Sequence, residues 1–244
     1  MNIIDYLTGF FTDYTTQTIA LGTIVLGGIS GALGSYAILR KQSLLGDAVA
    51  HAALPGIALA FLLSGIKDPL MLFLGAALSG WLASVWITNI SKSTRIKSDT
   101  SLALVLAVFF GFGMVVLTYI QKIPTANQAG LETFLFGQAA TLIRRDVVIM
   151  SIVAGIALLI VFILWKEFKL LTFDPQFARS AGLNVRLLDV ILNSLIVLAI
   201  VLGLQMVGVI LMSAMIVAPA AASRQWTDRL SVMVILAGAF GAFS

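Results

Sequence analysis

Residues 14–39 read YTTQTIALGTIVLGGISGALGSYAIL and contain no charged side chain. Other uncharged runs occupy residues 69–91, 100–121 and 147–165. Each run is close to the roughly 20 apolar residues that a helix needs to cross the hydrocarbon core of a bilayer. Of the 244 residues, 60% are hydrophobic and 11% are charged, whereas soluble domains carry about 25% charged residues. These patterns exclude an ordinary soluble protein and predict an all-α, polytopic transmembrane helical bundle that forms one domain over residues 1–244.

The uncharged stretch 190–223 is too long for one crossing. As a single helix it would extend roughly 50 Å, against a hydrocarbon core of about 30 Å, and Gly203, Gly208 and Pro219 offer places to break it. The last apolar run, residues 230–244, is shorter than a full crossing. We therefore expect about eight spans with the last one truncated. The first seven are predicted near residues 17–39, 44–65, 69–90, 101–120, 146–165, 188–205 and 207–222.

Small residues recur in the first of these spans. They allow close approach between membrane helices, so helix packing is the expected role of the glycines. The glycines concerned are Gly27, Gly28, Gly31 and Gly34.

The basic residues fall mainly on one side when the loops are assigned alternately. The positive-inside rule then places that side in the cytoplasm and the N-terminus outside. Arg144 and Arg145 are the discordant pair, and they follow an apolar segment, residues 131–143, that we predict to be re-entrant or interfacial. The basic residues assigned to the cytoplasm are Arg40, Lys41, Lys92, Arg95, Lys97, Lys166, Lys169, Arg179, Arg186, Arg224 and Arg229.

The net charge and the cysteine count restrict the possible partners. The net charge of +4 is explained by the loop residues that set the topology, so no nucleic-acid partner is expected. The chain has no cysteine, which excludes both a disulfide framework and a thiolate metal site.

Asp47 and His51 place two ionisable groups inside the second apolar span. Their four-residue spacing puts both on one face of a helix, one turn apart, where a carboxylate oxygen and an imidazole nitrogen can meet one cation. Buried charged groups in membrane spans usually mark a transport pathway. A solvated N-terminal acid beside a packed histidine is the structural alternative. Pro55 follows one turn later and frees a backbone carbonyl near His51.

Two ligands are too few for a divalent transition metal, which usually takes four to six. A symmetric dimer with the second helix beside its axis would bring two Asp47 and two His51 side chains together. Such an oxygen and nitrogen set suits manganese, zinc or ferrous iron.

A short surface helix is predicted within residues 174–182, in the longest cytoplasmic loop. Asp174 can cap it, Pro175 suits its first position, and Gly182 suits its C-terminal end. A helical linker without a further role is an equally simple explanation of this pattern.

Several of these motifs together resemble one family of transporters. The stretch 46–56, GDAVAHAALPG, resembles the signature helix of the ABC-3 permeases, the membrane subunits of ABC importers for manganese, zinc or iron. The chain is also similar to that family at residues 97–100, 134–137 and 217–221, so the resemblance covers nearly all of it. Family members continue through the last span and beyond, and in this length the chain departs from the family.

The resemblance implies a bacterial plasma-membrane permease that carries a metal ion as cargo and holds no permanent cofactor. It implies three protein partners: a separate ABC ATPase, an extracellular metal-binding lipoprotein, and a second permease chain, identical or paralogous. Asp47 and His51 match the metal-site residues of the family. The helix at 174–182, with Phe177 and Arg179, resembles the coupling helix that docks on the ATPase.

Two other functions are weighed against this one. A self-sufficient secondary transporter or cation channel could use Asp47 and His51, but no second Asp-x-x-x-His motif marks an inverted repeat. An intramembrane enzyme would need a nucleophile or metal cluster that the sequence does not show. No P-loop motif is present, so ATP hydrolysis is expected from a partner subunit. Manganese is favoured because a thiolate-free site is less biased toward zinc, and because residues 134–138 look like manganese- or iron-transporting members of the family.

Overall fold

The computed structural model describes residues 13–66, 68–122, 136, 137, 139 and 142–244. Within these ranges the regular structure is helical. The helices, in chain order, are α1 (Tyr14–Leu39), α2 (Leu45–Ser64), α3 (Pro69–Ser93), α4 (Ser98–Gln121), α5 (Arg144–Ile163), α6 (Trp165–Phe173), α7 (Pro175–Ser180), α8 (Val185–Trp226) and α9 (Leu230–Phe243).

Five of the helices, α1 to α5, are each long and apolar enough for one membrane crossing. The 42-residue helix α8 is broken at Gly208, whose backbone (φ 79°, ψ 177°) lies in a region that favours glycine. It therefore consists of two segments, residues 185–207 and 209–226, close to the two spans predicted from the sequence. Pro219 lies inside the second segment without ending it. With the 14-residue helix α9, the prediction of an all-α bundle of about eight spans is confirmed.

Local sequence signals explain where several helices begin and end. Asp13 caps α1, because its Oδ2 accepts a hydrogen bond from the amide of Thr16 at 3.0 Å. Asp68 caps α3 in the same way, with Pro69 at the first helical position. Gly65 ends α2 in the left-handed conformation, with φ of 67°.

Glycines bring α1 into close contact with the end of the chain. A β-carbon added to Gly27 would lie 1.9 Å from the carbonyl oxygen of Gly241, and one added to Gly31 would lie 2.0 Å from that of Ala237. Gly34 approaches Ile216 of α8 equally closely. The backbones meet directly here, so these three glycines serve helix packing, as the sequence predicts. Gly28 has no such contact.

The helix α2 lies inside the bundle, between α3, α4 and α8. It crosses α3 where Gly56 and Gly75 meet, since a β-carbon on Gly56 would lie 2.0 Å from the Gly75 carbonyl oxygen. Gly113 of α4 packs against Pro55 of α2. The helix with the candidate metal ligands is therefore held on several sides by the rest of the chain.

Basic residues that the sequence assigns to one side of the membrane meet at one end of the bundle. Arg40 and Lys92 both contact Asp189, while Arg179 and Arg186 line a cavity with Lys92. Arg144 is the first residue of α5. Its guanidinium carbon lies 5.7 Å from the centre of the ring of Tyr14, the first residue of α1. The predicted segment 131–143 lies mostly outside the described residues.

Candidate metal site on helix α2

The polar face of α2 is defined by its two ionisable residues. Between residues 45 and 58, Asp47 and His51 are partly exposed and every other residue is buried. The side chains are 45% and 32% exposed, respectively. A buried apolar helix that turns only two polar side chains outward, one turn apart, presents them to a space or partner outside its own core.

The two side chains are close enough to bind one ion. Nε2 of His51 lies 3.5 Å from Oδ1 of Asp47, which is longer than an ordinary hydrogen bond. Two ligand atoms bound to one tetrahedral metal at about 2.1 Å would be about 3.4 Å apart. The observed separation thus needs little adjustment for both groups to contact the same cation.

An aromatic ring of α4 fixes one side of the histidine. The centres of the His51 and Phe110 rings are 5.0 Å apart, and the rings are nearly perpendicular, at 81°. Such edge-to-face packing restricts the imidazole orientation. The sequence does not predict this contact, because Phe110 is one of many phenylalanines in apolar spans.

The backbone beyond the site is adapted to the proline. Pro55 has no amide hydrogen, so the carbonyl oxygen of His51 lacks its usual helical donor. In the same turn, the hydroxyl of Ser79 on α3 donates a 2.6 Å hydrogen bond to the carbonyl oxygen of Ala52. A hydrogen bond from α3 therefore reaches α2 one residue beyond His51.

The described part of the chain supplies two of the ligands that a metal site at this position would need. Among the described residues, no group of three or more His, Asp, Glu or Cys side chains could hold an ion. Asp47 and His51 would need further ligands from water or from another chain to reach the four to six that transition metals prefer.

A second polar cluster lies between α1, α3 and α8. Asp189 is almost fully buried, at 1% exposure, and accepts hydrogen bonds from Arg40 and Lys92. Arg40 also donates to Asn193 at 3.3 Å, and Asn193 donates to Thr88 at 3.2 Å. Two cations and a polar network therefore compensate the buried carboxylate.

Sequence reasoning missed this cluster because it treated Arg40 and Lys92 only as topology signals. Asp189 itself is an acid inside a predicted span, followed one turn later by Asn193. An acid within an apolar span is the same signal that indicates Asp47, and it also indicates Asp189.

The predicted short helix is α7, and its local features agree with the sequence. Oδ1 of Asp174 accepts a hydrogen bond from the amide of Phe177 at 2.8 Å, Pro175 is the first helical residue, and Gly182 has a φ of 81°. Ala178 is buried, whereas Phe177 is 56% exposed. Arg179 lines a cavity beside α8. The structure does not bring these residues near Asp47 or His51.

The structure thus defines a polytopic helical membrane protein with an outward acid–histidine pair on a buried helix. Residues 12–244 match the model of the ABC 3 transport family. The chain belongs to this family, and it is a membrane permease subunit of an ABC transport system. The family membership predicted from the sequence motifs is confirmed.

Two curated relatives and one solved structure are similar over nearly the whole chain. The zinc transport system membrane protein TroC of Treponema pallidum is 50% identical over 96% of this chain and 78% of that protein. The manganese transport system membrane protein MntC of Bacillus subtilis is 49% identical over 94% of this chain, which spans about half, 53%, of that relative. PsaBC from Streptococcus pneumoniae, solved in complex with a Fab, matches with a TM-score of 0.82 and 33% identity, over 99% of this chain and 84% of that one.

Proposed function

We propose that this permease imports a divalent transition metal ion, with manganese as the favoured cargo, along a path lined by Asp47 and His51. The observation that carries the proposal is the exposure pattern of α2, in which these two side chains alone between residues 45 and 58 are not buried. Placing a carboxylate against lipid would cost several kcal/mol. A water-filled path or a protein partner therefore faces this side of the helix.

Metal identity rests on ligand chemistry. The relatives that are about half identical in sequence are named for zinc in one case and manganese in the other. A site of carboxylate and imidazole without thiolate suits manganese and ferrous iron as well as zinc. Manganese is the first candidate because it binds oxygen ligands readily, with zinc and iron as the alternatives.

The incomplete ligand set supports a paired arrangement of permeases. Two copies of α2 beside a two-fold axis would supply two carboxylates and two imidazoles to one cavity. The second chain is either identical or a paralogue. Each chain would then provide half of the site and one wall of the path.

Energy for import comes from a separate ATPase, and an extracellular lipoprotein delivers the metal. The exposed Phe177 on α7, with Asp174, Pro175, Arg179 and Gly182 shaping the helix, is the proposed contact with the ATPase. This assignment requires the end of the bundle with α7 to face the cytoplasm and the N-terminus to lie outside. Membership of the ABC 3 transport family favours this ATP-driven mechanism over a self-sufficient secondary transporter or channel.

The test is metal uptake by the complete transporter, with its ATPase and lipoprotein, in proteoliposomes. Radioactive manganese uptake should fall to background in Asp47→Ala and His51→Ala. The matched control is Leu59→Ala, since Leu59 is also on α2 and is 38% exposed. Normal uptake by either ligand variant would contradict the path.

Uptake of each radioactive ion identifies the cargo. Inhibition alone would not, because zinc and ferrous iron bind oxygen and nitrogen ligands more tightly than manganese does. Manganese should accumulate faster than zinc or ferrous iron at equal concentration. Faster accumulation of zinc would overturn the manganese assignment while leaving the role of Asp47 and His51 intact.

A further inference from the structure

A large cavity lies between α3 and α8, away from Asp47 and His51. Its volume is about 650 Å³. The C-terminal turns of α3 form one wall, the first turns of α8 form another, and the loop after α7 closes it on one side. This space is separate from the proposed metal path. Arg179 of α7 lines it, whereas the exposed Phe177 does not.

The charge around the cavity is strongly positive. Lys92, Arg179 and Arg186 line it, and Asp189 is the acid among the lining residues. The carboxylate of Asp189 is already bound by Lys92 and, from outside the lining, by Arg40. Arg179 and Arg186 form no ion pair within the part of the chain that the structure describes. The cavity therefore offers cations without a protein anion to match them.

The rest of the lining is apolar or neutral. One wall of the cavity is apolar and is formed by Trp81, Val85 and Val190. On α3, Trp81 and Val85 lie closer to the middle of the helix than Lys92 does. The indole nitrogen of Trp81 donates a 2.9 Å hydrogen bond to the hydroxyl of Ser194, and the residue is 37% exposed. In a membrane-spanning helix, an exposed aromatic ring of this kind can contact a lipid chain.

We propose that this cavity binds one anionic phospholipid. The phosphate lies among Lys92, Arg179 and Arg186, and an acyl chain lies along Trp81 and Val85. Basic pockets between membrane helices near the interface are suited to anionic headgroups. The apolar wall accommodates the acyl chain of a lipid, a group that a free anion does not have. The inference requires only that the chain spans a membrane and does not depend on the identity of the transported metal.

Bound lipid would add a second link between α3 and α8, which the ion pair of Lys92 with Asp189 already connects. Lys92 belongs to α3, Arg186 to α8, and Arg179 to α7. One phosphate held by all three would fix the start of α8 against the end of α3. The lipid would thus act as a structural ligand at the end of the bundle that carries α7.

The experiment uses the indole in the cavity wall as the reporter. The complete transporter, permease with its ATPase, is delipidated in detergent and titrated with phosphatidylglycerol whose acyl chains carry bromine, which quenches nearby tryptophan. Subtracting the same titration of Trp81→Phe isolates the signal of Trp81. We expect saturable quenching by brominated phosphatidylglycerol and much weaker quenching by brominated phosphatidylcholine with the same chains.

Charge variants test the headgroup contact. Lys92→Gln and Arg186→Gln should each weaken the apparent affinity about five-fold, in line with the contribution of one basic residue near an anionic lipid surface. Arg186→Lys should restore most of the loss. Arg95→Gln is the matched control, because Arg95 is an exposed cation at the end of the same helix α3 and does not line the cavity.

Three results would overturn the proposal. Equal quenching by phosphatidylcholine would make the cavity a general apolar crevice. Competition by inorganic phosphate as strong as that by phosphatidylglycerol would make it a site for a free anion. Absence of Trp81 quenching in the assembled transporter would mean that a protein surface, and not a lipid, covers the cavity.

Discussion

The carbonyl oxygen of Gly241 occupies the space where a side chain on Gly27 would begin, because an added β-carbon would lie 1.9 Å from that oxygen. The contact joins α1 to α9 through bare backbone. It explains why the last helix, although only 14 residues long, is firmly packed against the first.

Replacing Gly27 with alanine should therefore destabilise the permease. The new methyl group would force α1 and α9 apart, and overpacking of this kind costs typically 1–3 kcal/mol. Thermal unfolding of the detergent-purified protein would show a lower midpoint. Gly28→Ala is the matched control, because its added β-carbon would have its nearest neighbour at 4.0 Å. Equal stability of the two variants would contradict the close packing.

Removing the carboxylate of Asp189 should be more harmful than removing either of its partners alone. Asp189→Ala would leave Arg40 buried without its counter-charge, and breaking such a pair costs about 3–5 kcal/mol. Lys92→Ala should cost much less, since its side chain is 50% exposed and Arg40 still pairs with Asp189. Unfolding in detergent measures both. The double variant Arg40→Met with Asp189→Leu should recover part of the loss, because no unpaired charge remains buried.

Cysteine cross-linking tests whether two copies of α2 face each other. The chain has no cysteine, so every cysteine cross-link between two copies of this permease must come from an introduced residue. Asp47→Cys should form a permease dimer with a short bifunctional reagent in the assembled transporter. Phe162→Cys, which is 77% exposed on α5, should not. The opposite pattern would place α2 far from the partner and would remove the four-ligand site.

An acid at Phe177 should uncouple ATP hydrolysis from transport. The side chain is 56% exposed at the middle of α7, and Phe177→Asp would put a charge in the proposed docking surface without disturbing the buried Ala178. ATPase activity and metal uptake are measured together in proteoliposomes. Uptake per ATP hydrolysed should fall sharply, whereas Phe177→Leu keeps the ratio. An unchanged ratio in Phe177→Asp would remove α7 from the coupling pathway.

Features that depend on neighbouring residues in the chain could be predicted well. The spans follow from uncharged length, the position of α7 follows from Asp174, Pro175 and Gly182, and the proximity of Asp47 to His51 follows from helical spacing. These are local properties, because helix geometry alone fixes which residues share a face. The sequence also predicts a break in α8 at Gly203, Gly208 or Pro219. Of these three positions, Gly208 is the one with a non-helical backbone.

Features that depend on contacts between distant residues could not be predicted. Phe110 and His51 meet because Gly113 lets α4 approach Pro55 closely, and no periodicity in either helix indicates that pairing. The same is true of the cavity beside Trp81, whose cations come from α3, α7 and α8. In each case, the way in which whole helices pack decides which residues come into contact. Many other apolar residues in the same spans fit the sequence pattern equally well, so the pattern cannot identify the contacting residue.

The ion pair between Arg40 and Asp189 also has a consequence for biosynthesis. The two residues are 149 positions apart, and a ribosome adding about 5–20 residues per second needs roughly 7–30 s to make that stretch. During this interval Arg40, in the segment before α2, has been translated but Asp189, the acid that pairs with it, has not. The ion pair that holds the segment before α2 against α8 therefore forms only after α8 has been made, so the surroundings of the candidate metal site reach their final arrangement late in the life of the nascent chain.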